Sequence, residues 1–400
     1  MLNKIALFFL DDDNQNKMIP FLSILLGFII GGLLLIIFKY NPVEAYQKLI
    51  EGGFGKFSEG EFGDMRRIGQ TLLSTTGLIL TGLSVAFAFR TGMFNIGASG
   101  QLLMGGFVAT LIGVVLELPK IIHLPLALLG AIVAGALWAY LPALLKAKFR
   151  IHEVVTTIMM NWIAVWTVYY FVPILIPGHY DTESAIIKPT ASLRVEWLTE
   201  MFDKSFVNLG IFIAIIAAVI IWFVLDRTTF GYELKAVGYN KDAAKYAGIK
   251  VDRNIIFSMM ISGALAGLAG ATYYLGYSQN LKIGELPSLG FDGIAVSLLA
   301  LNTPLGVLLS GALFGFMNAA KSFMTASTDV PNELVPIIMA IIIYFAATNL
   351  MIKSWIKKLG QLLFRQPKKA IQQTVDDVDS IKKEDSVEKK EIDNKKGGDK

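Results

Sequence analysis

Residues 90–101, RTGMFNIGASGQ, decide how the chain is read. Long apolar runs flank the stretch on both sides, yet it holds Arg90, Asn95, Gln101 and the glycines 92, 97 and 100. Irregular backbone inside a membrane survives only where it is buried in protein or lines a cavity, because lipid offers its N–H and C=O groups no partner. Two readings follow. The stretch is either a break or helix start beside a solute path, or a tight cytoplasmic turn followed by small residues for close helix packing. Arg90 also suits an anchor at the inner face.

The surrounding chain supports a membrane setting. Its 400 residues are 54% hydrophobic with a mean hydropathy of +0.56, so a bilayer is the natural solvent. From Lys353 to Lys400 there are thirteen Lys/Arg against nine Asp/Glu, a surplus of four that equals the whole formal charge of +4. A basic excess confined to a tail gives no reason to expect nucleic acid as a partner. The absence of cysteine excludes disulfides, zinc-thiolate sites and thiol catalysis. His123, His152 and His179 are too scattered for a metal cluster, and no cofactor is implied. The opening MLNKIALFFLDDDNQ has a very short apolar part that runs into Asp11–Asp13, with no small-residue cleavage site after it, and reads as a retained N-terminal segment.

Apolar segments of bilayer length fall near 20–38, 70–89, 93–116, 121–145, 153–176, 207–225, 255–276, 289–301, 304–320 and 334–352, with the eighth too short to cross alone. The expected fold is an all-α integral membrane protein of about ten transmembrane helices, in two inverted four-span units plus flanking helices. Residues 1–19 form a cytoplasmic segment, 20–352 the membrane domain, and 353–400 a charged, largely disordered cytoplasmic tail. Lys146, Lys148 and Arg150, then Arg227 to Arg253, then Lys353 onward mark inner loops, which places both termini inside. The outer loop 39–69 runs against this rule with Lys39, Lys48, Lys56, Arg66 and Arg67, offset by five acids.

Several machineries are missing. No span under this assignment has a charge at its centre, which disfavours proton or sodium coupling through a buried carboxylate; the acids Glu117, Glu153, Asp292 and Glu333 sit at ends. The nearest approach to a phosphate-binding loop, GFMNAAKS at 315–322, lacks the second glycine and lies in an apolar helix, so the chain does not hydrolyse nucleotide itself. No Ser/His/Asp grouping indicates an enzyme. An autonomous secondary carrier remains as an alternative.

The soluble stretch 226–254, DRTTFGYELKAVGYNKDAAKYAGIKVDRN, is the most informative. Asn240 is a good N-cap, Lys241–Ala247 favours helix and Gly248 suits the stop, while Gly231 and Gly238 punctuate the approach. A short helix presenting Ala243 and Ala244 on a flat face is expected. It serves either as a basic loop fixing topology or as a docking helix for a cytoplasmic partner.

Three stretches carry a resemblance: GLSVAFAFRTGMFNIGASGQLLMGGF (82–107), TTFGYELKAVGYNKDAAKYAGIKVDR (228–253) with SGALAGLAGA (262–271), and GFDGIAVSLLALNTPLGVLLSGALFG (290–315). They resemble permeases of the ATP-binding cassette importers, in the family serving ribose, other simple sugars, branched-chain amino acids and nucleosides. The similarity covers about Gln70 to Met351, and FNIGASGQ with GFDGIAVSLL is nearest the nucleoside or simple-sugar branch. The resemblance implies a cytoplasmic ATPase subunit, a second permease subunit, an extracellular substrate-binding lipoprotein and a nucleoside or related solute. It assigns ATPase coupling to Gly238, Asn240, Ala243, Ala244 and Gly248. The family pattern has Glu where this chain has Ser99.

Spans two to five start outside and spans seven to ten start inside, the mark of an inverted repeat. The second span of each unit opens on a related pattern, Phe94-Asn95-Ile96-Gly97-Ala98 and Phe291-Asp292-Gly293-Ile294-Ala295. Matching glycine-interrupted segments point to a transport site. Phe94, Asn95, Gln101, Phe291 and Asp292 are therefore the candidate path residues, with Asn95 and Asp292 facing one cavity. Asn161, Ser262, Thr272 and Asn318 read as interhelical hydrogen-bonding groups.

Overall fold

In the computed structural model the described residues are 12–55, 63–348 and 351–355; most of the N-terminal segment and the tail beyond residue 355 lie outside them. Two compact units are distinguished, Met1–Phe21 with Thr348–Lys400, and Leu22–Ala347. Among the described residues eight helices are long and apolar enough to cross a membrane. They are α1 (Asp12–Ile37), α3 (Met65–Arg90), α4 (Ala98–Val115), α5 (Lys120–Phe149), α6 (Glu153–Leu175), α8 (Gly210–Arg227), α11 (Val251–Thr272) and α13 (Pro304–Ser327). Two shorter apolar helices, α12 (Leu289–Leu299) and α14 (Leu334–Ala347), occupy the eighth and tenth expected places. The all-α reading therefore stands, with ten as the approximate number of membrane segments. Among the described residues the only β contacts are two isolated bridges, Pro177–Ser184 and Glu183–Lys282.

The loop 39–69 is partly ordered by α2 (Pro42–Phe54), which Asn41 caps by accepting from the N–H groups of Val43 and Glu44. Lys48 pairs with Glu51 at 2.7 Å and Arg67 with Asp64 at 3.2 Å, so two of the loop's cations are neutralised locally. One face of α2 packs on α3 and α13: Thr71 donates to the Gly53 carbonyl, and Gly52 lies against the backbone of Ala320.

The core is organised around α3, buried at every position from Thr75 to Ala88. Between helices in lipid there is no hydrophobic driving force, so close packing of small residues does the work. Along α5, Ala127, Ala131, Gly135 and Ala139 recur every four residues and are all buried. They meet Gly263 and Gly267 of α11 so closely that a Cβ on Gly267 would stand 2.2 Å from the Ala131 carbonyl oxygen. The other side of α5 carries Ile122, Leu129, Val133 and Leu137, all more than half exposed, the stripe a lipid-facing surface needs.

Chain direction fixes the two ends of the bundle. Gln70 in α3, Asn208 before α8 and the π-helical end of α11 (Tyr273–Ser278) lie at one end; Arg90, Arg227 and Val251 lie at the other. Two further helices, α9 (Thr229–Tyr239) and α10 (Lys241–Tyr246), sit at this second end.

Candidate functional site

The opening stretch is a connection between helices, not a helix start at Met93. From Thr91 to Gly97 the backbone is irregular; α4 begins at Ala98. Gly92, at φ +71°, supplies the turn that other residues resist. The segment then dives into the protein. Asn95 and Gln101 exchange amide hydrogen bonds of 2.8 and 3.1 Å, and Asn95 also donates to Ser262 at 2.8 Å while accepting from the Gly97 N–H at 3.0 Å. Ser262 in turn donates to the Ser84 carbonyl, and Asn161 bridges the Gly100 N–H and the Ile96 carbonyl. Asn95 is 0% exposed and Gln101 1%. The freed backbone is satisfied by protein, as irregular chain at membrane depth requires.

The start of α12 meets the start of α4 in mid-bundle. A Cβ on Gly290 would lie 2.3 Å from the Ser99 nitrogen, and one on Gly293 would lie 2.7 Å from the Thr81 carbonyl carbon. FDGIA is helical here rather than interrupted, because α12 begins at Leu289. Above this junction lies a cavity of about 1070 Å³. Its polar wall comprises Gln70, Ser74, Asn208, Asp292, Asn318 and Lys321, and Phe206, Tyr273 and Tyr277 supply aromatic surface. The side chains of Gln70 and Asn318 have no hydrogen-bond partner among the described residues, and Lys321, without an ion-pair contact there, attracts Asp292 from a distance. Asp292 receives only a long 3.4 Å contact from Ser288. A cavity of this size can hold a small solute, whose sites usually run to ~300–1,000 Å³.

The rim is built by the segment 176–209, which contains the short helix α7 (Glu196–Met201). Arg194 donates from Nε to the Gly276 carbonyl at 2.7 Å and from its terminal nitrogen to the Tyr277 carbonyl, and stands over the Phe206 ring. Burial pulls the Arg194 guanidinium somewhat below its ordinary pKa.

At the opposite end, Asn240 caps α10 by accepting from the N–H groups of Asp242 and Ala243, both at 3.0 Å. Gly248, at φ +85°, provides the stop. The approach differs from expectation: Thr229–Tyr239 is helical, with Gly231 and Gly238 inside it. Both glycines serve close contact, since a Cβ would stand 2.2 Å from the Val224 carbonyl oxygen and from the Arg90 carbonyl oxygen respectively. Ala243 is exposed, whereas Ala244 is only 4% exposed, packed with Met93, Val237, Ile255 and Met259. The flat face therefore includes Ala243 but not Ala244. A six-residue helix has only one side free, and the Ala244 methyl is small enough to seat it on the bundle.

Residues 67–347 match the family described as the branched-chain amino acid transport system permease component. The chain belongs to that family. The guanosine ABC transporter permease protein NupP of Bacillus subtilis (strain 168) is 43% identical over 86% of this chain and 97% of its own length. The nucleoside ABC transporter permease protein NupB of Lactococcus lactis subsp. cremoris (strain MG1363) is 36% identical over 87% and 95%. The glucose ABC transporter permease protein TsgB13 of Haloferax volcanii is 31% identical over 84% and 88%. No solved structure matches the chain. It is a multi-pass membrane permease of the ABC importer type.

Of the permease's five expected path residues, only Asp292 lines the cavity. Asn95 and Gln101 are sealed in their own hydrogen-bonded pair. Phe94 is half-buried beside Phe89, with ring centroids 5.1 Å apart, and Phe291 is 41% exposed outside the cavity lining. The physical reason is the direction of approach. α12 enters mid-bundle from the cavity end, while the Thr91–Gly97 segment enters from the Arg90 end and turns its amide toward α11. Asn161 and Ser262 do bond between helices as expected, but Thr272 donates within its own helix to Ala269, and both it and Asn318 line the cavity. Lys321 was missed because the ninth span was drawn to Ala320, whereas α13 continues to Ser327. The signal was present: Asn318 and Lys321 stand three apart in an apolar helix and so share a face.

Proposed function

We propose that the chain is the nucleoside-transporting permease subunit of an ABC importer, working with a cytoplasmic ATPase, a second permease subunit and an extracellular substrate-binding lipoprotein. The observation that carries the reading is the cavity: aromatic side chains able to stack on a base stand with polar side chains, of which Gln70 and Asn318 have no hydrogen-bond partner among the described residues. Relatives named for guanosine and nucleosides support it. The α9–α10 loop docks the ATPase through Ala243, held in place by Asn240, Gly248, Gly238 and the buried Ala244. Both termini and this loop are cytoplasmic, so the cavity opens outward; residues 20–352 are the membrane domain and 353–400 a cytoplasmic tail.

The test is ATP-driven uptake of labelled guanosine, uridine and glucose by cells carrying the full operon, with and without this gene. Nucleoside uptake that disappears without the gene is the expected result. Glucose uptake alone would assign the permease to simple sugars, and uptake that persists without a copurifying ATPase would favour a secondary carrier. Within the same assay, Ala243→Glu should abolish uptake in inserted protein without disturbing solute binding by the lipoprotein.

A further inference from the structure

We propose that Arg90 is the positioning residue that transmits movement of the α9–α10 loop to the cavity, with the short helix α12 as the lever. The inference rests on reading that loop as the ATPase dock. Three observations on different elements link the loop, through the backbone and side chain of Arg90, to the end of α12. Gly238 of α9 seats directly on the Arg90 carbonyl oxygen. The Arg90 guanidinium reaches across the bundle and donates from Nε to the Asn302 carbonyl at 2.9 Å. Asn302 ends the joint that follows α12, where the Asn302 N–H returns to the Ser297 carbonyl at 2.9 Å and Ser297 donates to the Asn302 side chain at 2.7 Å.

The lever has a defined length and a defined hinge. α12 has eleven residues, about 16 Å at 1.5 Å per residue, so it reaches only from mid-bundle to the Arg90 end. Its first turn brings Leu289 and Asp292 to the cavity wall. Its last residues lead to Leu301 and Asn302, consecutive non-glycine residues at φ +52° and +55°. Such backbone is held only where its surroundings over-determine it, which marks switch points as well as tight turns. Along its length α12 is seated closely on its neighbours, Gly293 against Thr81, Val296 in the notch at Gly82 and the Ser310 hydroxyl of α13 donating to the Val296 carbonyl at 2.8 Å. A short rod seated this closely moves as one piece, so a pull on the joint is carried along α12 to its first turn. Loop, Arg90, joint, α12 and Asp292 form one contiguous chain of contacts from the dock to the cavity.

The chain is free of cysteine, so Ser288→Cys gives a single thiol at the cavity wall. The experiment is labelling of that thiol by a small polar maleimide in the full-length permease, purified with its copurifying ATPase, with and without a non-hydrolysable ATP analogue. In the Ser288→Cys background the analogue should change the labelling rate at least about fivefold, the scale of a real coupling. Adding Arg90→Met should abolish the change while the ATPase still copurifies, and Arg90→Lys, which keeps a donor, should restore part of it. Asn302→Gly relaxes the hinge in a conformation glycine accepts freely, so it folds, and it should weaken the response. A full response in Arg90→Met or in Asn302→Gly overturns the lever. A response missing from the Ser288→Cys background itself overturns the docking reading on which the lever rests.

Discussion

Asn95 and Asp292 stand in the related sequence patterns FNIGA and FDGIA, and their surroundings differ in kind. The Asn95 amide is fully buried and has a protein partner for each of its polar atoms. Asp292 stands in a cavity with Gln70, Asn318 and Lys321, whose side chains make no hydrogen bond among the described residues. The contrast separates two uses of polarity in a membrane. Satisfied and sealed, a polar cluster holds irregular backbone in place. Left open in a wet cavity, ionisable groups are retained for what binds there.

Breaking the sealed cluster is the harshest way to test the comparison. Asn95→Leu strips partners from Gln101, Ser262 and the Gly97 N–H at once, and each buried group left unsatisfied costs about 1–3 kcal/mol. The expected outcome is loss of folded protein, read as a collapsed monodisperse peak on size exclusion of detergent-solubilised membranes. A stable, transporting Asn95→Leu protein would show that the cluster is not structural and return Asn95 to the path.

The cavity should respond in the opposite way. Lys321→Met and Asp292→Asn remove charges that no ion pair in the described structure needs, so the protein should fold normally. Nucleoside uptake should fall roughly tenfold, the equivalent of one lost charge-assisted contact. Normal uptake by both variants would empty the cavity of its assigned role.

These two outcomes also show what could be read beforehand. Each of the ten expected apolar segments holds an apolar helix among the described residues, because burial of backbone in lipid leaves helix as the local solution, although the third begins at Ala98 and the ninth runs on to Ser327. The Asn240 cap and the Gly248 stop were equally legible, since a cap depends on a few adjacent residues. The environment of Asn95 was not. Its partner Ser262 comes from a helix remote in sequence, and nothing local says whether an amide will find protein or water. The same limit hid Gln70, Ser74 and Asn208 as cavity residues, because two separate elements, α3 and the segment before α8, bring them together. Ala244 was misread for a related reason: an alanine on a short helix suits a docking face and a packing contact equally.

Chemical accessibility sharpens the contrast without disabling the protein. Single cysteines at Ser288 and Asn318 should react with a small polar maleimide in intact membranes, within minutes if the cavity is wet. A cysteine at Gln101 should react at least about tenfold more slowly, since it needs the sealed pair to open. Equal rates at positions 101 and 318 would mean that the two regions exchange water freely, and the distinction between them would fail.

The smallest effect belongs to the rim. Glu117 and Lys188 form an exposed ion pair at 2.8 Å that ties the segment 176–209 to the end of α4. The hydrogen bond from Lys188, with its charge, holds the Glu117 carboxyl below the usual carboxylate range. A carboxylate whose folded pKa is lowered contributes stability above its unfolded pKa, and loses it as the pH falls through the folded value. The tie is therefore intact at neutral pH and disappears only in acid. It is also redundant, because the same segment is held by the Ile187 N–H on Gln279, the Leu193 N–H on Leu275 and Arg194 on Gly276. Exposed pairs of this kind contribute little. Glu117→Gln should leave uptake within about twofold of the parent at neutral pH, and should flatten any decline in thermal stability between mildly acidic and strongly acidic buffer. A large loss at neutral pH would mean that the rim depends on one surface contact, and that the cavity's shape is set there instead of by α11 and α12.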